Sequence, residues 1–175
     1  AHFHGHRFRV RSGVLIPRPE TELLVDKVLE LAQSAEEGCT PNILDVGTGS
    51  GCIAISLALE GHKVTAMDIS EEALHIAQKN ATALNAEVNF IHENILHPST
   101  TPQQWDIIVS NPPYVCLHEA EEMERNVLEQ LLVILVNLSV GSTELLCCFL
   151  CSGEDDVTES YHFAALDFLK SGHVL

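Results

Sequence analysis

Strand-forming and helix-forming segments alternate along most of the chain, and this alternation constrains the fold more than any other feature. The segments are "ILDVG" (strand), "GCIAISLALEG" (helix), "KVTAMDIS" (strand), "EEALHIAQKNATALN" (helix), "EVNFIHEN" (strand) and "WDIIVSN" (strand). Strands joined through helices form right-handed crossovers within a parallel sheet. The sequence therefore predicts an α/β fold with helices on both faces of the sheet, and its 175 residues suit a single domain.

Two segments precede this alternation. "HFHGHRFRV" is typical of a β-hairpin that turns at His4 and Gly5. "PETELLVDKVLELAQ" places Leu24, Val28 and Leu31 on one face of a helix. We expect core positions at Leu23, Leu24, Ile53, Ile55 and Ala73.

A glycine-rich turn, "DVGTGSG" over residues 45–51, joins the first strand of the alternation to its helix. Ligands of such sheets bind beyond the carboxyl ends of the strands, and glycines let the backbone approach them closely. Asp68 ends the next strand, where a carboxylate accepts hydrogen bonds from both ribose hydroxyls; the alternative is a helix cap or turn carboxylate. Dinucleotide-binding turns usually read G-x-G-x-x-G. The spacing G-x-G-x-G makes a tighter loop, which suits a ligand without a pyrophosphate and favours S-adenosylmethionine over a dinucleotide.

The strand "IIVS" ends on "NPPY", an asparagine followed by two prolines and a tyrosine. Proline fixes φ and biases the preceding residue toward extended backbone, so the chain at Asn111 is stiff. This loop should face the same crevice as the glycine turn. The alternative is a proline-terminated strand with a packed Tyr114.

Four motifs carry a resemblance to a known family. They are "VLIPRPETELLV" from Val14, "ILDVGTGSGCIAISLA" from Ile43, "AMDIS" from Ala66 and "IIVSNPPYV" from Ile107. Over Phe3 to about Glu129 the chain resembles the HemK-like protein-(glutamine-N5) methyltransferases, class I enzymes that methylate a glutamine amide in peptide chain release factors. "NPPY" is shared with methyltransferases of adenine bases, whereas "PRPETE" points to glutamine.

The resemblance implies a role for each motif residue. Asn111, through its side-chain oxygen, and Pro112, through its main-chain carbonyl, would accept the two N–H groups of the substrate amide, while Tyr114 packs on the amide plane. The implied cofactor residues are Gly47, Thr48, Gly49, Ser50, Gly51, Asp68, Asn94, Ile95 and Asn111. The implied substrate residues are Asn111, Pro112, Pro113, Tyr114, Arg18, Glu20 and Thr21.

The resemblance also divides the chain into three parts: a β-hairpin over residues 1–16, a methyltransferase core over 17–129, and an atypical C-terminal segment of the same domain over 130–175. The family carries a helical domain before the hairpin, and this sequence starts where that domain would end. Beyond Glu129 only the closing "FLKSGHVL" is similar to the family. We therefore expect incomplete C-terminal strands that leave a parallel strand with an unpaired, largely apolar edge.

Charge and composition reduce the number of function classes that fit the sequence. A formal net charge of -16 disfavours bulk nucleic-acid binding, which draws its affinity from lysine and arginine on phosphates. The cluster "CCFLC" lacks the second ligand pair of a closed zinc site. No signal peptide or clean membrane span is visible in the sequence. We therefore expect a cytoplasmic protein. The leading hypothesis is methylation of a release factor glutamine. The alternatives are a ribosomal-protein glutamine methyltransferase, an adenine-N6 methyltransferase and a non-catalytic remnant.

Overall fold

The structure is a computed structural model that describes residues 1–11, 14–33, 40–95, 105–111, 144–149 and 162–165. Its helices are α1 (Glu20–Gln33), α2 (Cys52–Leu59) and α3 (Glu71–Leu84). Its strands are β1 (His2–Phe3), β2 (His6–Arg7), β3 (Asn42–Val46), β4 (Lys63–Asp68), β5 (Val88–His92), β6 (Ile107–Ser110), β7 (Glu144–Phe149) and β8 (His162–Ala165). Each element predicted from the alternation is present, within a few residues of its predicted ends.

Strands β3 to β8 form the main sheet, in the order β5-β4-β3-β6-β7-β8 among the described residues. Strands β5 to β7 run parallel to their neighbours β4, β3 and β6, as the crossover argument predicts. Strand β3 lies between β4 and β6, so the glycine turn that follows it emerges at the middle of the sheet. The α/β fold class is confirmed.

The C-terminal strands differ from the sequence expectation. Strand β8 pairs antiparallel with β7, with Leu146 opposite Ala165 and Phe149 opposite His162. The expectation that a parallel strand would keep an unpaired outer edge is therefore wrong for β7. An antiparallel neighbour can satisfy the edge of a parallel strand, and β8 is the last strand of the sheet among the described residues.

Helix α3 has clear signals at both ends. The Oγ of Ser70, the N-cap, accepts a hydrogen bond of 3.2 Å from the backbone N–H of Ala73. Glu71 and Glu72 follow in the first turn, where negative charge stabilises the helix dipole. The helix ends at Asn85, which takes the left-handed conformation with φ 55° that closes many helices.

The core lies between the sheet and the helices. Leu24, Ile53, Ile55 and Ala73 are buried as predicted. The prediction for Leu23 is wrong, because this side chain is 46% exposed. Successive helical residues point about 100° apart, and since α1 turns positions 24, 25 and 28 to the core, position 23 faces outward.

The predicted hairpin forms at the start of the chain. His4 and Gly5 occupy its turn with φ of 46° and 76°. Beyond the hairpin, Phe8 packs edge-to-face on Phe3 with ring centroids 6.1 Å apart, and both rings are buried in the core. The backbone N–H of His4 donates to Glu22 Oε1 at 2.9 Å, which ties the hairpin to α1.

Candidate active site

The carboxyl ends of three adjacent strands bring the predicted motifs together. In the register of the sheet, Val46 at the end of β3 lies opposite Met67 of β4 on one side and Ser110 of β6 on the other. The glycine turn after Val46 therefore lies between Asp68 and Asn111, each of which comes one residue after these partners. The Oγ–H of Ser110 donates to the carbonyl oxygen of Val46 at 2.9 Å and fixes this junction.

The glycine turn has left-handed backbone at alternate positions. Gly47, Gly49 and Gly51 have φ of 72°, 57° and 79°, a region that other residues rarely adopt. The residues between them, Thr48 and Ser50, turn their side chains into the protein and are 6% and 3% exposed. The surface that this turn offers to a ligand is therefore mainly backbone.

Gly51 is also required by packing. A Cβ at this position would lie 2.8 Å from Ile55 Cδ1 and 2.9 Å from Ala77 Cβ of α3. The turn consequently sits directly against α3, with no room for a side chain.

Asp68 reaches across to the glycine turn. Its Oδ2 accepts a hydrogen bond of 2.9 Å from the backbone N–H of Gly49, and its Oδ1 accepts one of 2.9 Å from the N–H of Ser70. The carboxylate thus lies at the turn where a cofactor ribose was predicted. Its contact with Ser70 is that of a turn carboxylate, the alternative interpretation of this residue, and its role at a ribose stays a prediction.

Asp45 was not predicted as a site residue, although it is the one charged residue in the apolar strand β3. Its Oδ2 accepts hydrogen bonds from Thr48 Oγ1 at 2.7 Å and from the N–H of Ala54 at 3.3 Å. Its Oδ1 is buried and has no hydrogen-bond partner among the described residues. An acidic residue within a strand of apolar residues was the available signal for it.

The environment of Asp45 shifts its titration strongly. Burial raises the pKa of the carboxyl from 3.8 to about 7, because the hydrogen bonds from Thr48 and Ala54 offset only part of the desolvation. The negative charge of Asp68 makes a smaller contribution to the same rise in pKa. A cation placed beside Asp45 would favour its charged form.

Asn111 joins two of the four motifs that carry the family resemblance. Its Nδ2–H donates to Thr21 Oγ1 at 3.1 Å, although the residues are 90 positions apart in the sequence. Thr21 is 1% exposed and belongs to "PRPETE", while Asn111 begins "NPPY". The Oδ1 of Asn111 is buried and finds no hydrogen-bond partner in the part of the chain that the structure describes.

The remaining predicted residues are placed less tightly. Asn94 and Ile95 follow β5 and are partly exposed, and the N–H of Glu93 beside them donates to the carbonyl of Asp68 at 3.1 Å. Arg18 is exposed just before α1, which begins at Glu20. Three predicted residues lie outside the described residues: Pro112, Pro113 and Tyr114.

Asn80 of α3 is a further residue that sequence reasoning missed. Its Nδ2 donates to the carbonyls of Ser50 and Arg9, both at 2.9 Å, and its Oδ1 accepts from the N–H of Arg9 at 2.8 Å. The residue is 1% exposed. It therefore connects the segment after the β-hairpin, at Arg9, to the glycine turn. No local sequence pattern predicts such a contact.

A groove lies elsewhere among the described residues. It has a volume of about 1160 Å³ and opens at the amino ends of the strands, beside Thr40, Lys63 and Val88. None of the predicted site residues lines it. We place the site at the carboxyl ends of β3, β4 and β6, because the convergent polar groups lie there.

Comparisons with known proteins identify the family and agree with the fold class. The family described as "Methyltransferase small domain" matches residues 20–135. The chain is 53% identical over 127 residues to the "Release factor glutamine methyltransferase" of Koribacter versatilis, covering 71% of this chain and 44% of that protein. It is 49% identical over 129 residues to the protein of the same name from Flavobacterium psychrophilum, covering 73% and 45%.

A solved structure supports the same fold class. The SAM-dependent methyltransferase of Agrobacterium tumefaciens superposes with a TM-score of 0.62 at 19% identity, covering 79% of this chain and 47% of that one. The chain spans less than half the length of the two curated relatives. The resemblance carried by the four motifs is confirmed. Among the described residues, no helix has the length and apolar character needed to cross a membrane.

Proposed function

We propose that the chain, which belongs to the methyltransferase small domain family, transfers a methyl group from S-adenosylmethionine to the side-chain amide nitrogen of a glutamine in a protein. The names of its relatives make a peptide chain release factor the first substrate to test. Membership of the family rests on the match over residues 20–135. The activity, substrate and cofactor are proposals that the site geometry supports.

The residues at the carboxyl ends of the strands suit a cationic, nucleoside-bearing cofactor. Gly47 and Gly49 offer backbone without side chains, and Asp68 offers carboxylate oxygens for ribose hydroxyls. Asp45 Oδ1 is a buried acceptor without a partner among the described residues, which suits an environment that includes a positive charge. S-adenosylmethionine, when bound there, supplies an electrophilic methyl group. Asn94 and Ile95, beside Asp68 at the end of β5, are proposed to flank the adenine.

Asn111 is proposed to orient the methyl acceptor. A primary amide nitrogen is a poor nucleophile, because its lone pair is delocalised into the carbonyl. An acceptor that holds an N–H of this group fixes the direction of the nitrogen before reaction. Asn111 Oδ1 can do so without losing an existing hydrogen bond to any described residue. The nitrogen becomes acidic only as it gains the methyl group, so its proton can leave to water afterwards and no charged base is required.

One observation carries the proposal: the contact of Asn111 with Thr21. It joins "NPPY", which suits methylation of a planar NH₂ group in general, to "PRPETE", which points to glutamine. It also leaves the acceptor Oδ1 unpaired among the described residues. A strand that simply ended in a packed loop would not need a buried, unpaired acceptor at its end.

The substitution Asn111→Ala tests this assignment. It should lower methyl transfer by on the order of 10²-fold or more, the cost of one well-placed polar contact in a transition state. Cofactor affinity should stay within about a few-fold, because Asn111 is assigned chiefly to the substrate amide. The measurement is transfer of label from S-adenosylmethionine to a release factor, with a ribosomal protein extract and DNA as parallel substrates. Asn89→Ala is the matched control, since Asn89 is an exposed asparagine of β5 at the edge of the sheet.

Each arm of this assay has a distinct meaning. Equal activity in the Asn111→Ala and Asn89→Ala chains would contradict the role of Asn111. Transfer to DNA in place of protein would favour the adenine-N6 alternative, against which the net charge of -16 weighs. Cofactor binding without transfer to any substrate would favour a non-catalytic chain. We further propose a cytoplasmic location, where release factors act, and no stable association with nucleic acid.

A further inference from the structure

We propose that Thr21 is a positioning residue, which holds the side-chain amide of Asn111 so that only its acceptor oxygen is offered to the substrate. The site thereby selects a substrate group that carries N–H donors. This inference rests on the proposed function, because it concerns the way in which Asn111 receives an amide.

Thr21 has a fixed place in the fold. It is the second residue of α1, and its backbone N–H donates to the carbonyl of Arg18 at 3.0 Å in the turn that starts the helix. Its side chain is 1% exposed. A buried threonine on a helix has few χ1 rotamers, and the hydrogen bond with Asn111 of the chain after β6 selects among them.

The two ends of an asparagine amide have nearly the same shape but opposite chemistry. Oδ1 accepts hydrogen bonds, whereas Nδ2 donates two. The hydroxyl of Thr21 pairs with Nδ2, and the end left without a described partner is the oxygen. The reverse orientation would leave an NH₂ group buried and unpaired, which folded proteins avoid more strictly than an under-satisfied oxygen. The hydroxyl of Thr21 can pair with either end of the amide, and pairing it with Nδ2 avoids that unpaired donor, so the contact keeps Oδ1 toward the substrate.

A valine at position 21 would keep the shape of threonine and remove its hydroxyl. Nδ2 would then lack an acceptor in either orientation, so the preference for presenting Oδ1 would be lost and the amide would also populate the reverse orientation. Donors on Asn111 would oppose donors on the substrate. The penalty of a buried unpaired donor corresponds to a loss of roughly 5- to 150-fold in kcat/KM. Cofactor affinity should not change, because Thr21 contacts the amide of Asn111 and the substitution is isosteric.

The first experiment compares Thr21→Val with Thr21→Ser in the 175-residue chain, using labelled S-adenosylmethionine and a release factor. Thr21→Val should show the loss in kcat/KM with unchanged cofactor affinity by calorimetry, while Thr21→Ser, which keeps the hydroxyl, should stay within about 3-fold of the unmodified chain. In an Asn111→Ala background, Thr21→Val should have no further effect. Full activity of Thr21→Val, or a Thr21→Ser chain as impaired as Thr21→Val, would assign Thr21 to packing and overturn the inference.

The second experiment does not depend on turnover. In NMR spectra, the Asn111 side-chain NH₂ protons should exchange slowly with solvent in the unmodified and Thr21→Ser chains and much faster in Thr21→Val. Equal exchange in all three chains would overturn the inference even if the enzyme is active. If the unmodified chain transfers no methyl group, the proposed function fails, whereas this exchange measurement still decides the role of Thr21.

Discussion

The substitution Gly51→Ala tests how tightly the glycine turn is held against α3. Gly51 has φ of 79°, and left-handed backbone costs an alanine about 1–2 kcal/mol. The added methyl would also lie 2.9 Å from Ala77 Cβ and 3.3 Å from Ala77 Cα. Ile55 Cδ1, at 2.8 Å, can rotate away, but Ala77 has no torsion that moves its Cβ, so α3 itself must shift. Overpacking of this kind costs about 1–3 kcal/mol.

Gly51→Ala should therefore lower the free energy of unfolding by about 2–5 kcal/mol in total. Gly61→Ala is the matched control, because Gly61 has φ of 90° and nothing lies within 4 Å of a Cβ built there. It should cost only the backbone term of about 1–2 kcal/mol. Urea unfolding followed by circular dichroism measures both, and the difference between the two variants isolates the contact with α3.

A double-mutant cycle refines this test. Ala77→Gly removes the methyl that the new side chain meets, at a helix-propensity cost of about 1 kcal/mol. It should destabilise the Gly51→Ala chain by less than it destabilises the unmodified chain, since it relieves the overlap. If Gly51→Ala costs no more than Gly61→Ala, the turn is not packed on α3 as the distances state, and the reasoning is refuted.

Two further predictions concern the carboxylates. Asp68→Ala should weaken binding of S-adenosylmethionine by about 1.5–3 kcal/mol, which is the scale of a hydrogen bond to a charged group. Calorimetric titration measures this affinity, and an unchanged value would leave Asp68 only its contacts in the turn. Asp45 has a pKa raised from 3.8 to about 7, so the folded chain holds its proton over this range more strongly than the unfolded chain does, and stability falls as the pH rises. The unfolding free energy of the unmodified chain minus that of Asp45→Asn should therefore drop by on the order of 4 kcal/mol between about pH 4 and pH 7 and level off above. Urea unfolding at a series of pH values measures this difference. A difference that does not change with pH would contradict the raised pKa of Asp45.

Much of the fold could be predicted from the sequence because its signals are local. The alternation of β-branched runs with helical segments fixes β3 to β6 and both intervening helices, and parallel strands gather their carboxyl ends at one edge. That edge in turn predicts where the glycine turn, Asp68 and Asn111 lie. The exposure of Leu23 could not be predicted in this way, because a short apolar run on α1 leaves the rotation of the helix undetermined by one position.

The contacts that organise the site join residues far apart in the sequence. Asn80 meets Arg9 across 71 positions, and Asn111 meets Thr21 across 90. Periodicity predicts which face of an element is buried, but it does not specify which polar atom on one element meets which atom on another. The antiparallel pairing of β8 with β7 likewise joins two segments whose register is not specified by periodicity.

The turn contacts of Asp68 are compatible with its proposed contact with a cofactor ribose. A carboxylate has about four acceptor positions, and the N–H groups of Gly49 and Ser70 occupy one on each oxygen. Each oxygen therefore keeps capacity for a further donor, such as one of two adjacent ribose hydroxyls. Because the two backbone donors come from the glycine turn and from the N-cap of α3, they also fix the direction of the carboxylate. Ribose binding would then use a group that is already oriented, without breaking the contacts that hold the turn, and this lowers the ordering cost of binding.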